Sequence, residues 1–276
     1  MLTDLSAVLA LAEQKQCAIP AFNVYNLETV LGVAAAAEEA KSPVILQVYS
    51  RLFEGPLGPH LAPCILHAAQ TMKVPAAFHL DHGANDTVVL RALRAGATGI
   101  MRDASSLPFE ENVEATKRVT VQCAAAGVPV EGELGHVGST KDDQAEAFTD
   151  PDEARRFVEQ TSVAALAIQV GTAHGRYRQA PRLDIERIAA IREATGLPLV
   201  LHGGSGVPDD QLRAAIAAGI RKVNFGTDVC YAFLDSVFAV SRDIVAVDVF
   251  MREPVESVKQ YALSKIRQLG AEGCYA

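Results

Sequence analysis

Three of the seven histidines stand inside short, polar, glycine-bearing stretches: His82 in His79-Leu80-Asp81-His82-Gly83, His174 in Gly171-Thr172-Ala173-His174-Gly175, and His202 at the head of His202-Gly203-Gly204-Ser205-Gly206. Brought together, three imidazoles leave a fourth position open for water or substrate, which is the ligand set of a catalytic zinc site. Asp81, beside His82, would either join that set or handle a proton. Asp103 and Glu133 offer carboxylates for a second cation, for a displaced position of the first, or for local charge balance. The run from Gly203 to Gly206 precedes a helix whose first turn holds Pro208, so its backbone N–H groups can cradle a phosphate. Asn224-Phe225-Gly226-Thr227-Asp228 offers a second turn of that kind. The other histidines read differently: His60 and His67 belong to a helical segment, His79 is internal to a strand, and His136 is open to either role.

These residues matter only on a scaffold that gathers them. Short β-rich runs alternate with alanine-rich helical runs, giving eight strands at 18–24, 43–50, 75–81, 99–103, 129–134, 165–171, 197–202 and 222–225. Unbroken apolar strands such as 197–201 suit a parallel sheet covered on both faces. Eight such units in 276 residues predict an α/β fold, a (β/α)8 TIM barrel, as one domain over 1–276. Helix starts are marked by Asp150 ahead of Pro151, by Pro208 with Asp209 and Asp210, and by Asp228; stops are marked by Gly96, Gly127, Gly196 and Gly219. A helix over 2–15 is expected to plug the bottom of the barrel, and 254–269 to form an additional C-terminal helix. The one long connection, 135–150, is polar and reads as a lid. In such a barrel the reactive groups sit at the C-terminal strand ends, where His82, Asp103, Glu133, His174, His202 and Asn224 all fall.

The composition, 49% hydrophobic and 21% charged, supplies a large core and excludes a disordered chain. The longest clean apolar run, 163–168, falls far short of the roughly 18 residues that span a bilayer, so no membrane helix is expected. Asp4 stands where a secretory leader would carry a cation, which places the protein in the cytoplasm. Five scattered cysteines without a C-x-x-C pair argue against both a disulfide framework and a thiolate zinc site. A net charge of −8 without a Lys/Arg cluster makes nucleic acid a poor partner. An anionic small molecule is still compatible where donors concentrate inside a cleft.

With His79 to Gly83, Val170 to Gly175, Leu201 to Gly206 and Lys222 to Asp228 in this order, the chain resembles the class II, zinc-dependent ketose-bisphosphate aldolases, which act on fructose and tagatose bisphosphates. The likeness runs from Ala21-Phe22-Asn23-Val24-Tyr25-Asn26 to about Asp228. The resemblance implies reversible cleavage of a ketose 1-phosphate or 1,6-bisphosphate to dihydroxyacetone phosphate and an aldehyde, through an enediolate held by Zn²⁺. It implies His82, His174 and His202 as zinc ligands, Asp103 and Glu133 at a second or displaced metal position, and Asp81 as proton donor. Gly175, Gly203, Gly204, Ser205, Asn224, Phe225, Gly226 and Thr227 would bind the sugar phosphate, with Asn23 and Ser50 completing the set. A monovalent cation (Na⁺ or K⁺) near the phosphate is a further implication. So is assembly as a homodimer or homotetramer, for which the apolar 245–250 segment would suit an interface, although packing within one chain explains that segment equally well.

Two departures from the family pattern bear on the substrate. The long-loop position where the family carries a proton-moving glutamate is Lys141 here, which leaves Asp142 or Asp143 for that role. Strand four ends Arg102-Asp103-Ala104-Ser105-Ser106, adding a second cation. Together they point to an aldehyde half with its own anionic group, read by Lys141, Arg102, Arg176 or Arg252, although Arg102 and Arg252 read equally as solvated side chains. Two other functions fit parts of the pattern. A metal-dependent sugar-phosphate epimerase or isomerase would want two opposed proton-transfer groups; a non-catalytic, aldolase-like regulatory subunit would explain Lys141 but not an intact ligand set.

Overall fold

The computed structural model describes residues 1–140 and 147–275. Eight parallel strands form its centre: β1 (Ile19–Asn23), β2 (Val44–Tyr49), β3 (Ala76–Gly83), β4 (Gly99–Arg102), β5 (Val130–Leu134), β6 (Ala165–Ile168), β7 (Leu199–Leu201) and β8 (Ile220–Phe225). Each pairs with the next, and β8 returns to β1 through the register Ile19↔Lys222 to Phe22↔Phe225, which closes a (β/α)8 TIM barrel. Every strand residue is buried except Tyr49. A sheet enclosed on both faces explains the apolar runs, and it means that any charge on a strand must be paired or face the site.

Two ends of the chain close the barrel. Leu2–Thr3 is a short strand paired with β3 rather than the start of a helix. The helix begins at Leu5, after Asp4 has accepted the Ala7 N–H at 2.8 Å. Leu5, Val8 and Ala12 are wholly buried beneath the N-terminal strand ends, and a Cβ on Gly99 would lie 2.9 Å from that of Leu5. The plug is therefore real. The C-terminal helix, Arg252–Gln268, lies on Leu27–Ala40 and crosses it at Gly32, where a Cβ would meet Val258 at 2.8 Å.

Three boundaries differ from the sequence expectation in ways that matter for the site. β2 ends at Tyr49, and Ser50 opens a short helix, Ser50–Glu54, instead of ending the strand. β6 stops at Ile168, and the following helix, Ile185–Thr195, starts only after Asp184 caps the Arg187 N–H. The segment 169–184 is thus a second long connection beside 135–150. It doubles back at Gly171 (φ +114°), where a Cβ would strike the Arg182 carbonyl oxygen at 2.4 Å. The two connections pair over the barrel mouth: His174 N–H donates to Gly138 O at 2.7 Å and Thr140 N–H to His174 O at 2.8 Å. Among the described residues no helix is long and apolar enough to cross a membrane.

Candidate metal centre and active site

His82, the last residue but one of β3, has φ +50°; the other described non-glycine residues with positive φ, Gln16, Lys41 and Ser162, all close helices. That backbone costs about 1–2 kcal/mol for a residue with a Cβ. Its own N–H is held by Met101 Sδ at 3.3 Å, and a Cβ on the following Gly83 would lie 2.4 Å from Met101 O. The ring then meets His202 and His174 at centroid distances of 4.7 and 4.9 Å. One nitrogen from each ring lies within 4.8 Å of the others. His82 Nε2 and His202 Nδ1 are 3.0 Å apart, against about 3.3 Å for two nitrogens on a tetrahedral zinc. His174 Nε2 is buried and has no hydrogen-bond partner among the described residues. Converging lone pairs with one left over are what a metal would satisfy, so the residues fit the implied ion.

The other edge of the His82 ring faces carboxylates. Nδ1 lies 2.7 Å from Asp103 Oδ2 and 4.0 Å from Glu133 Oε2, and His82, Asp103 and Glu133 form a second group that could hold a cation. A single imidazole thus borders both candidate positions, one through each nitrogen. Burial works against charge on His82, but Asp81, the bond to Asp103 and the nearby Glu133 outweigh it and raise its pKa to about 10. Burial also opposes the Asp103 carboxylate, yet the bond to His82 and its charge hold Asp103 well below the usual range. Burial, then the charge of Asp103, lifts Glu133 to about 8. Burial followed by the charge of His82 lowers His174 to about 4 and pushes His202 down as well.

Beneath the metal centre lies a buried group that the sequence pattern did not single out. Glu131 Oε1 is 3.0 Å from His202 Nε2, while Oε2 is 2.8 Å from Lys222 Nζ and 3.5 Å from His79 Nε2. A carboxylate at Nε2 fixes the proton there and leaves Nδ1, the nitrogen facing His82, as the lone pair. The signal was available in the chain: Glu131 and Lys222 are charges inside strands with no polar face.

Above it opens a cavity of about 420 Å³. Asp81 enters with both oxygens held, Oδ2 by Asn23 Nδ2 at 2.8 Å and Oδ1 by Asn224 Nδ2 at 3.2 Å. Gly175, Gly203, Ser205, Gly226 and Thr227 line one bank, as the glycine turns predicted. Three expected substrate contacts lie outside the lining. Gly204 donates its N–H to Asn224 O at 3.1 Å, Phe225 stacks on Phe22 in the core at 5.6 Å, and Ser50 Oγ, behind the β2 end, accepts the Ala84 N–H at 3.4 Å. Tyr25, Tyr49, Arg51 and His136 line the cavity instead.

The expected readers of a second anion fare poorly. Arg102 is buried with its guanidinium on the Gly83 and Asp103 carbonyl oxygens. Strand alternation explains it: Asp103 faces the site, so its neighbour faces away. Arg176 lies over the Tyr231 ring at 3.6 Å, and neither it nor Arg252 lines the cavity. Lys141, Asp142 and Asp143 lie outside the described residues.

Comparison with known proteins bears on this arrangement. Residues 3–274 match the family model described as fructose-bisphosphate aldolase class-II. YdjI of Escherichia coli K12, named in curation as an uncharacterized protein, is 40% identical over 266 residues, 95% of each chain. The crystal structure of the YdjI aldolase from that strain matches with a TM-score of 0.91 at 36% identity over 100% of both chains. A fructose-bisphosphate aldolase of Campylobacter jejuni shares the fold, with a TM-score of 0.82 at 22% identity over 98% of this chain and 96% of its own.

Proposed function

The chain belongs to the class II fructose-bisphosphate aldolase family, whose members are aldol-cleaving lyases, and we propose that it cleaves a ketose 1-phosphate or 1,6-bisphosphate of the fructose or tagatose type reversibly to dihydroxyacetone phosphate and an aldehyde, with zinc as its metal. One observation carries this reading: three histidine nitrogens lie within 4.8 Å of one another, and two of those histidines, His82 and His174, line a cavity with a carboxylate gripped by two asparagine amides. Membership sets aside the isomerase and non-catalytic alternatives.

His82, His174 and His202 would hold the zinc, with Asp103 and Glu133 at a second or displaced position beside His82. Bound there, the ion supplies Lewis-acid polarisation of the ketose carbonyl, which takes up the charge left when the adjoining C–C bond breaks. Asp81 removes the proton from the hydroxyl of the departing fragment and returns it in the condensation direction. Asn23 and Asn224 keep its carboxylate aimed, since each amide donates to a different oxygen. Backbone N–H groups around Gly203 and Gly226, at the start of the helix Thr227–Ala239, bind the phosphate, aided by a monovalent cation. The phosphate fixes the three-carbon fragment, so that its reacting carbons stay aligned with Asp81.

The reading takes 1–276 as one domain in the cytoplasm, acting as a homodimer or homotetramer. Val245 and Val247, 86% and 68% exposed, support self-association because this chain does not cover them. A coupled assay for dihydroxyacetone phosphate tests the reaction on fructose and tagatose 1,6-bisphosphates and fructose 1-phosphate, before and after EDTA and zinc restoration. Release that EDTA abolishes and zinc restores is expected. A fully zinc-loaded protein that releases none from any substrate would overturn the reading.

A further inference from the structure

Five cysteines are spread along the chain, and the fold brings two of them together from its opposite ends. Cys17 Sγ and Cys274 Sγ lie 3.6 Å apart although 257 positions separate them. Both are buried, at 2% and 9% exposure. The other three belong to separate helices, Cys64 in Leu57–Thr71, Cys123 in Phe109–Ala124 and Cys230 in Thr227–Ala239.

The two partners are held very differently. Cys17 stands between the plugging helix Leu5–Lys15 and β1, with its N–H on Ala12 O at 3.1 Å, so the closed floor of the barrel fixes it. Cys274 belongs to the tail beyond the C-terminal helix, which turns at Gly270 (φ +70°) and Gly273 (φ +74°). Gly273 N–H donates to Ala40 O at 2.8 Å and Tyr275 N–H to Lys41 O at 3.0 Å. Gly270 borders both cysteines: a Cβ there would lie 3.8 Å from Cys17 Cβ, and its carbonyl oxygen is 3.5 Å from Cys274 Sγ. A disulfide needs about 2.0 Å between sulfurs, so one must approach by about 1.5 Å, a shift that a short strap turning on two glycines can supply. A cavity of about 750 Å³ lined by Gln16, Leu269 and Gly270 opens beside the pair and offers a small oxidant a way in. Alanine or valine would fill the same apolar contact; cysteine at both places is what makes it convertible to a covalent bond.

We propose that Cys17 and Cys274 form a modification site, at which a low-molecular-weight disulfide converts the two thiols to a reversible disulfide that straps the C-terminal tail to the barrel floor. The Cys274 thiolate, bared when the tail lifts, attacks the oxidant R–S–S–R, forms Cys274–S–S–R and expels one RS⁻. The Cys17 thiolate then attacks Cys274 Sγ, the bond from Cys274 to the R–S group breaks, and a second RS⁻ leaves. Two protein thiols are oxidised, one small disulfide is reduced to two thiols, and the two protein protons pass to the departing RS⁻ groups. Burial, then Cys274 beside it, pushes the Cys17 thiol up to about 12, which keeps it protonated while the tail is closed and leaves the first attack to Cys274. The link closes nearly the whole chain into one loop at the end of the barrel opposite the mouth, so it acts on stability.

Equilibrating the whole chain with glutathione disulfide, quenching with acid and mapping peptides by mass spectrometry tests it. Wild type should lose two of its five free thiols and yield one peptide pair joined through Cys17 and Cys274. It should also melt about 5–15 °C higher, a gain that dithiothreitol reverses. Cys17→Ser should stop at a glutathione adduct on Cys274 with no rise in Tm, and Cys274→Ser should leave Cys17 unmodified. The wild-type map decides the matter even where a variant fails to fold. Five free thiols after incubation, a disulfide joining any other pair, or linked protein that melts no higher than the reduced form overturns the proposal.

Discussion

Lys222 Nζ stands 2.8 Å from Glu131 Oε2 inside the barrel, both side chains fully buried, and the other oxygen of that carboxylate meets His202 Nε2 at 3.0 Å. The pair therefore sits directly beneath a candidate metal ligand, and its two members fail differently. Lys222→Met leaves a buried carboxylate without its cation, which should lower the unfolding free energy of the metal-free protein by about 3–5 kcal/mol in urea titrations. Glu131→Gln keeps the shape but weakens control of the His202 proton, so zinc affinity should fall about 10- to 100-fold. Competition with a chelating dye reads the second effect, and an unchanged dissociation constant would separate Glu131 from the metal.

Gly203 tests the phosphate turn. It has φ +66°, and a Cβ there would lie 2.4 Å from Ala173 O, a backbone atom that cannot swing aside. In Gly203→Ala the turn must shift, and the N–H groups move with it. KM for dihydroxyacetone phosphate in the condensation assay should rise about tenfold or more, with a smaller change in kcat. Equal kinetics in both proteins would remove this turn from phosphate binding.

What the chain made legible follows from how local each signal is. His82, His174 and His202 carry their glycine turns beside them, so strand, turn and ligand can be read together. Arg102 misled because its place at a strand end was legible but its parity was not: Asp103 occupies the inward position and Arg102 the outward one. Arg51 was hidden for a related reason, since the strand was read through Ser50 whereas a helix starts there and turns Arg51 into the mouth. The 169–184 connection has no apolar period, yet its path is fixed by Gly171 and by pairing with 138–140, contacts that no local pattern announces.

Asp81 separates the two halves of the reaction. Its carboxylate is held by Asn23 and Asn224, one to each oxygen, and it should serve only the hydroxyl of the departing fragment. Asp81→Asn should lower kcat for cleavage about 10²- to 10⁴-fold with wild-type zinc content by metal analysis. Exchange of a carbon-bound proton of dihydroxyacetone phosphate with deuterated water, followed by NMR, should fall far less. If exchange and cleavage collapse together, Asp81 acts on both fragments and the division of labour is wrong.

The proton count on metal binding reports which candidate position is filled. His82, raised to about 10, is charged at pH 7 in the metal-free protein, whereas His174, lowered to about 4, and His202, also lowered, are neutral. Zinc held by the three imidazoles should release one proton per ion at pH 7, with apparent affinity weakening about tenfold for each pH unit lost below 10. Zinc held by His82, Asp103 and Glu133 should release two, because Glu133, raised to about 8, keeps its own proton. The same shifts fix the sign for stability. A raised His82 stabilises the metal-free fold fully below its unfolded value of about 6.5, and that contribution is lost as pH climbs through about 10. Glu133 acts in the same direction between about 4.5 and about 8. Metal-free protein should therefore lose stability toward alkaline pH in urea titrations, and between about pH 8 and 10, where only the His82 contribution is still being lost, protein with zinc on the three imidazoles, whose His82 has already given up its proton, should not follow it. An indicator dye in weak buffer at pH 7 counts the protons directly: one places the metal on the histidines, two on the carboxylates, and none would mean that His82 is neutral before metal arrives.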